Sequence, residues 1–319
     1  MTMETPGLPP DGPVDANSQH QHTRSHQSRA LAPIVALRPK QWIKNLLVFV
    51  APAAAGTLSH KNVRTDTLLA FVAFCFVSSA VYLFNDLRDL DSDRAHPKKR
   101  NRPLAAGTLS PTLAVIELII FGVGGLVVSL TIPGGRLFIV LLVYLAINVA
   151  YAMKLKQEPV IELACVASGF VLRAVAGGVA ANAKLSVWFI VVVSFGALFI
   201  VTGKRLAELP REGVAGEQRA VLRRYTKSFL ESVITLSLTA MIVAYCLWAF
   251  TDTGLAGRAL GREVYIQLSI VPIILGSLWA LRLLDGGEGG TPENLAYHDR
   301  FLQICALSWV VLIFIGVYT

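Results

Sequence analysis

The chain has 319 residues, of which 54% are hydrophobic and only 16% are charged, and its mean hydropathy is +0.57. This composition excludes a soluble globular domain and is typical of a protein that crosses a membrane several times. The net charge of +8 lies between apolar segments rather than on a continuous polar face. It therefore indicates membrane topology and anionic head groups or substrates, and no nucleic-acid partner.

The amino-terminal segment is rich in Pro, Gln, Ser and His and contains no apolar run, which predicts a disordered cytoplasmic tail at 1–32. Residues 33–319 carry nine apolar segments, each near the length that a bilayer requires. We expect an all-α polytopic membrane protein, a bundle of nine transmembrane helices. The predicted spans are 43–60, 67–85, 112–131, 136–153, 159–180, 186–203, 231–251, 264–281 and 301–318.

The distribution of Lys and Arg predicts the orientation of these spans. With the amino terminus inside, the inner segments hold 22 of the 29 basic residues, the outer loops hold 6, and Arg173 lies within a span. This asymmetry favours a multi-pass membrane protein with its amino terminus in the cytoplasm and its carboxyl terminus outside. The two long loops, 86–111 and 204–230, then lie on the cytoplasmic side.

The polar stretch NDLRDLDSDRAHPKKRNRP follows the second span. If the helix continues through it, Asn85, Asp89 and Asp93 lie four residues apart on one face, with Asp86 beside them. Carboxylate and amide oxygens suit Mg²⁺, which usually shares its coordination shell with substrate phosphates. The basic residues that follow, including Arg102, supply charge for those phosphates. The alternative is a solvated loop whose basic residues only set topology.

Four residues near or within other spans are candidate substrate contacts. Lys44 lies close to the start of the first span, while Tyr151 and Lys154 lie one turn apart at the end of the fourth. Arg173 lies within the fifth span, where a guanidinium is costly and faces a partner or a wet cavity. The structural alternatives are snorkelling for Lys44, a helix C-terminal cation for Lys154 and an ion pair with an acid for Arg173.

The second long loop opens with Lys204, Arg205 and Glu208. Two adjacent cations at a helix end can clamp a phosphate, and the carboxylate can reach a metal or orient Lys204. The loops follow the second and sixth spans, which hints at two four-helix halves sharing one site. Glycines in the third and fifth spans allow close helix packing, and with it a homo-oligomer. The sequence contains no P-loop, dinucleotide-binding or zinc-ligand pattern, so ATP-driven transport has no support.

Over residues 38–319 the chain resembles the UbiA superfamily of intramembrane prenyltransferases. The resemblance rests on the nine spans and on an NDxxDxxxD motif read as Asn85, Asp86, Asp89 and Asp93, followed by the sequence RPL. It implies a helical bundle around a central cavity, with a polar site under the cytoplasmic loops. Most members carry a second DxxxD motif, whereas this chain has no aspartate from Gly203 to Phe250.

The patterns RPKQWIKN, NDLRDxDxDRxHPxKxxRPLAAG and GKRLAEL are similar to a narrower branch, the decaprenyl-phosphate phosphoribosyltransferases of mycobacteria and related actinobacteria. That resemblance implies transfer of a phosphoribosyl group from phosphoribosyl diphosphate to a polyprenyl phosphate, for cell-wall arabinan precursors. It implies that Asp86, Asp89 and Asp93 are catalytic through Mg²⁺ on the leaving diphosphate. It also implies that the basic candidates grip phosphates.

Two other functions stay open at this point. One is an aromatic prenyltransferase of quinone or haem biosynthesis, against which the missing second aspartate motif argues. The other is a carrier for a phosphorylated lipid or metabolite, for which an acidic Mg²⁺ motif would be unusual.

Overall fold

The computed structural model describes residues 31–209, 222, 224–251, 262–285, 295 and 298–318, and these residues form helices and turns without a strand. The all-α prediction is confirmed, and eight helices in this part of the chain are long and apolar enough to cross a membrane. The helices are α1 (Val50–Ala54), α2 (Lys61–Arg88), α3 (Leu90–Ala95), α4 (Pro111–Leu130), α5 (Arg136–Met153), α6 (Ile161–Ala180), α7 (Val187–Glu208), α8 (Lys227–Thr251), α9 (Arg262–Leu268), α10 (Ile270–Asp285) and α11 (Arg300–Tyr318).

The first predicted span, 43–60, differs from the expectation of nine α-helices. Pro39–Phe49 is a 3₁₀ helix, and only α1 behind it is α-helical. Pro52 has no N–H to donate to the carbonyl of Val48, which instead lies against Gly177 of α6. With a rise of about 2.0 Å per 3₁₀ residue and about 1.5 Å per α residue, the segment is about 30 Å long. That length still equals the thickness of a hydrocarbon core.

Polar side chains and proline set several helix boundaries. Ser110 accepts a hydrogen bond from the backbone N–H of Leu113 and caps α4, which begins with Pro111. Ser186 caps α7 in the same way through the N–H of Trp188. One predicted span, 264–281, is divided into α9 and α10 at Ser269, because Pro272 cannot continue the helical hydrogen bonding.

The described core surrounds α2, which packs against α4, α6 and the 3₁₀ helix. Phe74, Leu137, Leu141 and Tyr144 are buried in its centre. A second core lies between α6, α7 and α8. Helix α6 packs against both α2 and α7, the two helices that the long loops follow.

The folded part extends slightly beyond the predicted domain boundary. Residues 31–36 are helical, and Ala32 is buried beside Leu83 and Leu104. Residues 31 and 32 were assigned to the tail by composition. Residues 1–30 lie outside the described residues, so the rest of the tail stays a prediction.

Candidate active site

The acidic motif keeps its helical spacing but contains a break. Helix α2 ends at Arg88 and α3 begins at Leu90, with Asp89 between them at φ −96° and ψ 14°. The N–H of Asp89 still donates to the carbonyl of Asn85 at 2.9 Å, and the N–H of Asp93 to that of Asp89 at 2.8 Å. The motif residues are therefore one turn apart, as predicted, but the side chains of Asp89 and Asp93 contact different basic residues.

Two of the aspartates converge on one guanidinium. Nη1 of Arg102 donates to Oδ1 of Asp86 at 3.1 Å and to Oδ2 of Asp93 at 2.5 Å. Asp86 is 4% exposed and Asp93 is 2% exposed. The two residues are seven positions apart, which places them on the same helical face. A positive group thus lies between two buried carboxylates.

The loop after the motif is folded so that Arg102 covers the aspartates. Leu104 and Leu109 are buried against the bundle, and the carbonyl of Pro103 accepts hydrogen bonds from Thr108 and Leu109. Gly107 has φ +73°, a left-handed conformation that suits glycine. The RPLAAG segment is therefore a compact turn held by two apolar anchors.

The structure adds two basic residues that the sequence did not single out for the site. Nη2 of Arg38 donates to Oδ1 of Asp86 at 2.6 Å. Nζ of Lys156 donates to Oδ1 of Asp89 at 2.6 Å. Lys156 lies two positions beyond Lys154, which is exposed. The sequence feature that could have indicated Lys156 is the same basic pair at the end of a helix that indicated Lys154.

The connector 154–160 joins the two long loops at one end of the bundle. Lys156 contacts the first loop, while the backbone N–H of Val160 donates to the phenolic oxygen of Tyr225, near the end of the second loop, at 3.0 Å. Burial raises the pKa of the Tyr225 phenol, which keeps it neutral. Val160 has φ +67°, a strained conformation for a β-branched residue, and its hydrogen bond to Tyr225 helps to hold it.

The second loop begins with a buried charge cluster rather than an open clamp. Nε and Nη2 of Arg205 donate to Oε1 of Glu162 at the start of α6, and Nη1 donates to Glu208 at 2.7 Å. Glu162 and Arg205 are buried. Glu208 therefore contacts Arg205 and not Lys204, the partner suggested by its sequence position. Tyr151 lies within electrostatic range of Arg205, and residues 210–221 and 223 lie outside the described residues.

Arg173 is buried deeper in the bundle and has neutral partners. Its guanidinium donates to Oδ1 of Asn45 at 2.7 Å, to the carbonyl of Gly169 at 2.6 Å and to the hydroxyl of Tyr144 at 3.1 Å. In the described part of the chain it has no acidic partner, so the ion-pair alternative is not observed there. Lys44, next to Asn45, lies over the ring of Phe170.

The predicted residues therefore form three groups. The motif aspartates and Arg102 share one group, and Tyr151 lies near the Arg205 and Glu208 group. Arg173 forms the third, because its partner Asn45 contacts Ser78, two turns of α2 away from Asp86 and so about 12 Å along the axis. The role of each residue toward substrate stays a prediction.

The donor set suits a divalent cation, but the side chains are not gathered around one point. Among the described residues, no three His, Cys, Asp or Glu side chains lie close enough to hold a metal ion as they stand. Oδ1 of Asp93, however, is buried and has no hydrogen-bond partner there. Carboxylate oxygens are the ligands that Mg²⁺ prefers, and substrate phosphates usually complete its shell. The residues thus fit an ion that binds together with a phosphorylated substrate.

Residues 46–305 match the UbiA prenyltransferase family. The chain belongs to this family. Among characterised relatives of this UbiA family member is the decaprenyl-phosphate phosphoribosyltransferase of Corynebacterium glutamicum. It is 44% identical over 291 residues, which cover 89% of this chain and 86% of the relative. The proteins of the same name from Mycolicibacterium smegmatis and Mycobacterium tuberculosis are 43% and 40% identical, and each comparison covers 92% of the relative.

Solved structures support the fold of this UbiA family member. A UbiA homologue from Archaeoglobus fulgidus bound to DMAPP and Mg²⁺ has a TM-score of 0.64 at 19% identity, covering 91% of this chain and 98% of the other. A digeranylgeranylglyceryl phosphate synthase structure gives a TM-score of 0.61 at 19% identity, with 91% and 99% covered. At this level of identity the likeness supports the helical bundle alone.

Proposed function

We propose that this protein transfers the 5-phosphoribosyl group from phosphoribosyl diphosphate to decaprenyl phosphate or a similar polyprenyl phosphate, and releases diphosphate. The observation that carries the proposal is 40–44% identity, over most of both chains, to relatives that bear the name decaprenyl-phosphate phosphoribosyltransferase. The matched segments cover 88–89% of this chain and 86–92% of each relative.

The chemistry requires a stabilised leaving group and an oriented nucleophile. A polyprenyl phosphate oxygen attacks C1 of the ribose while the bond from C1 to the diphosphate oxygen breaks, with inversion at C1. The nucleophile is already an anion, so the chain needs to supply no strong general base. Catalysis then comes mainly from positioning and electrostatics.

The first loop would hold the diphosphate. Asp86, Asp89 and Asp93, with Asn85, would bind Mg²⁺, which when bound supplies charge neutralisation at the leaving group. Arg102 lies against two of these carboxylates, which supports a role for its guanidinium as a fork-shaped donor to the diphosphate.

The remaining cations would hold the other phosphates. We expect Lys204, which lies near the carboxyl end of α7 where the second loop begins, to contact the 5-phosphate. The neighbouring guanidinium of Arg205 donates to Glu162 and Glu208. Lys44, Tyr151, Lys154 and Arg173 stay candidates for the lipid phosphate. Arg205 and Glu208 would act by positioning this loop.

The proposed setting is the inner leaflet of a bacterial plasma membrane. The excess of basic residues in the predicted inner loops supports a cytoplasmic amino terminus and a cytoplasmic site. A role in cell-wall arabinan precursor synthesis and a homo-oligomeric assembly are further parts of the proposal.

The test uses the full chain, purified in detergent, with labelled phosphoribosyl diphosphate, decaprenyl phosphate and Mg²⁺. We expect a labelled product that is extracted into organic solvent and is absent when EDTA is added. Asp93→Asn should lower the rate about 100-fold or more, the upper end of the loss expected even for an outer-sphere partner of a metal. Asp91→Asn is the matched control, because Asp91 lies in the same motif with a side chain that is 96% exposed.

Other products would overturn the proposal. A prenylated aromatic product, formed from a labelled aromatic acid and a prenyl diphosphate while phosphoribosyl diphosphate gives no labelled lipid, would identify an aromatic prenyltransferase, a function consistent with the family description. Retention of full activity by Asp93→Asn would remove the motif from the mechanism.

A further inference from the structure

The charge of the aspartate motif is already balanced by basic side chains of the same chain. Asp86 accepts hydrogen bonds from Arg38 and Arg102, Asp93 from Arg102, and Asp89 from Lys156. Three carboxylates therefore contact three basic side chains at 3.1 Å or less. Nζ of Lys99 adds a fourth cation at 3.9 Å from Asp93.

This balance has a consequence for a divalent cation. Two of the carboxylates are buried, so solvent and salt screen their surroundings only weakly. A dication that entered alone would add two positive charges to a cluster without an excess of negative charge, and the basic side chains would repel it. An anion that arrives with the dication removes this repulsion, because the same side chains can then contact the anion.

Arg102 is best placed to make that exchange. Of the guanidinium nitrogens of Arg102, only Nη1 donates hydrogen bonds within the described residues, and the side chain is 30% exposed. Nε and Nη2 are thus left to bind a diphosphate through the fork geometry of a guanidinium. Oδ1 of Asp93, buried and without a hydrogen-bond partner in the described part of the chain, is left as an oxygen ligand.

We propose that Arg102 is an internal counter-cation of the motif, which weakens the binding of a divalent cation alone and makes it depend on the diphosphate of the substrate. Arg38 and Lys156 support it on Asp86 and Asp89. The inference deepens the proposed function and rests on it for the identity of the diphosphate. By linkage, the diphosphate must then depend on the cation to the same extent.

The test is to measure Mn²⁺ binding to the full chain in detergent by electron paramagnetic resonance of free Mn²⁺. Binding of labelled phosphoribosyl diphosphate is then measured at one fixed Mn²⁺ concentration. Arg102→Gln should bind Mn²⁺ alone about fivefold more tightly than the unmodified chain, within the usual range of coupling between two sites. It should bind phosphoribosyl diphosphate about tenfold more weakly, since charge-assisted hydrogen bonds are lost.

Arg94→Gln is the control for the general effect of removing one positive charge. Arg94 lies one residue from Asp93 but contacts the exposed Asp91 at 3.3 Å. Its removal should change both affinities much less than Arg102→Gln. Lys156→Gln, at the partly exposed Asp89, is a second variant that should also tighten Mn²⁺ binding.

The sign of the change decides the proposal. If Arg102→Gln binds Mn²⁺ more weakly, or no more tightly than Arg94→Gln, then Arg102 orients the carboxylates and the inference is wrong. If no Mn²⁺ binding that Asp93→Asn abolishes is found even when phosphoribosyl diphosphate is present, the inference also fails. Product formation in the transferase assay then shows separately whether the proposed function survives.

Discussion

The two buried arginines show how differently a membrane protein can accommodate a guanidinium. Arg205 donates to two carboxylates, of which Glu162 is fully buried. Arg173 donates to an amide oxygen, a carbonyl and a hydroxyl, and lies beside the rings of Phe74 and Tyr144. The first arrangement joins α6 to α7 through charge, and the second joins α6 to the 3₁₀ helix through neutral acceptors and aromatic faces.

The Glu162 pair gives a prediction on stability. Glu162→Gln should lower the free energy of unfolding by about 3 kcal/mol, because a guanidinium is then left buried beside a neutral amide. Glu208→Gln is the matched control, since that side chain is 29% exposed and its loss should cost about 1 kcal/mol or less. Thermal unfolding of both variants in the same detergent is the measurement. Equal losses would mean that Glu162 contributes no more than a surface pair.

At the scale of elements, every third residue of the 3₁₀ helix docks it against the neighbouring helices. Trp42 donates to Ser79, Asn45 donates to Ser78, and Val48 is fully buried. A period of three matches the 3₁₀ geometry, so one stripe faces α2 and α6 along the whole segment. The same docking places Arg38 at Asp86, at the amino end of the 3₁₀ helix.

The contact with α6 predicts a position where glycine is required. A Cβ at Gly177 would collide with the carbonyl oxygen of Val48, which belongs to a backbone that cannot move aside. Gly177→Ala should therefore destabilise the protein by about 1–3 kcal/mol, despite the better helix propensity of alanine. Gly122→Ala is the control, since its Cβ would meet only the Cβ of Ala80 at 3.6 Å.

Thermal unfolding of the two alanine variants tests this prediction. A stable Gly177→Ala variant, equal to Gly122→Ala, would mean that the 3₁₀ helix does not approach α6 as closely as the structure indicates.

For the whole molecule, the helix arrangement brings polar and charged residues from distant parts of the sequence together at one end of the bundle. The connector 154–160 contacts the first loop through Lys156 and the end of the second loop through Val160. Arg88 also donates to the carbonyls of Ala152 and Met153, so α2 and the end of α5 are joined there. The aspartate motif and the Arg205 cluster are therefore linked by one short segment.

The number of membrane crossings can be tested at the same scale. Eight apolar helices plus the segment of about 30 Å at 39–54 make nine crossings, which would put the two termini on opposite sides. A fluorescent reporter should then be active at the amino terminus and a phosphatase reporter at the carboxyl terminus. Insertions at Gly107 and Gly134 serve as controls for the inner and outer sides. Termini on the same side would mean that the first segment does not cross.

Much of the fold follows from local physics. The span 136–153 coincides with α5, and 301–318 differs from α11 by one residue. In lipid, the backbone N–H and C=O groups of a mostly apolar segment of about 20 residues have no water to bind, and a helix pairs them within the segment. The first span differs from the prediction, since a 3₁₀ helix and an α-helix can share the same apolar composition. What distinguishes them is the docking of Asn45 and Val48 on neighbours that are far away in the sequence.

The site divides in the same way. The sequence alone determined that Asn85, Asp86, Asp89 and Asp93 follow one another at helical spacing, since spacing within a helix is a local property. Only the tertiary structure decided which cation meets which carboxylate: Arg102 and Arg38 at Asp86, and Lys156 at Asp89. Partners separated by 16 to 67 positions meet through loop folding and helix packing, and no local pattern encodes those distances.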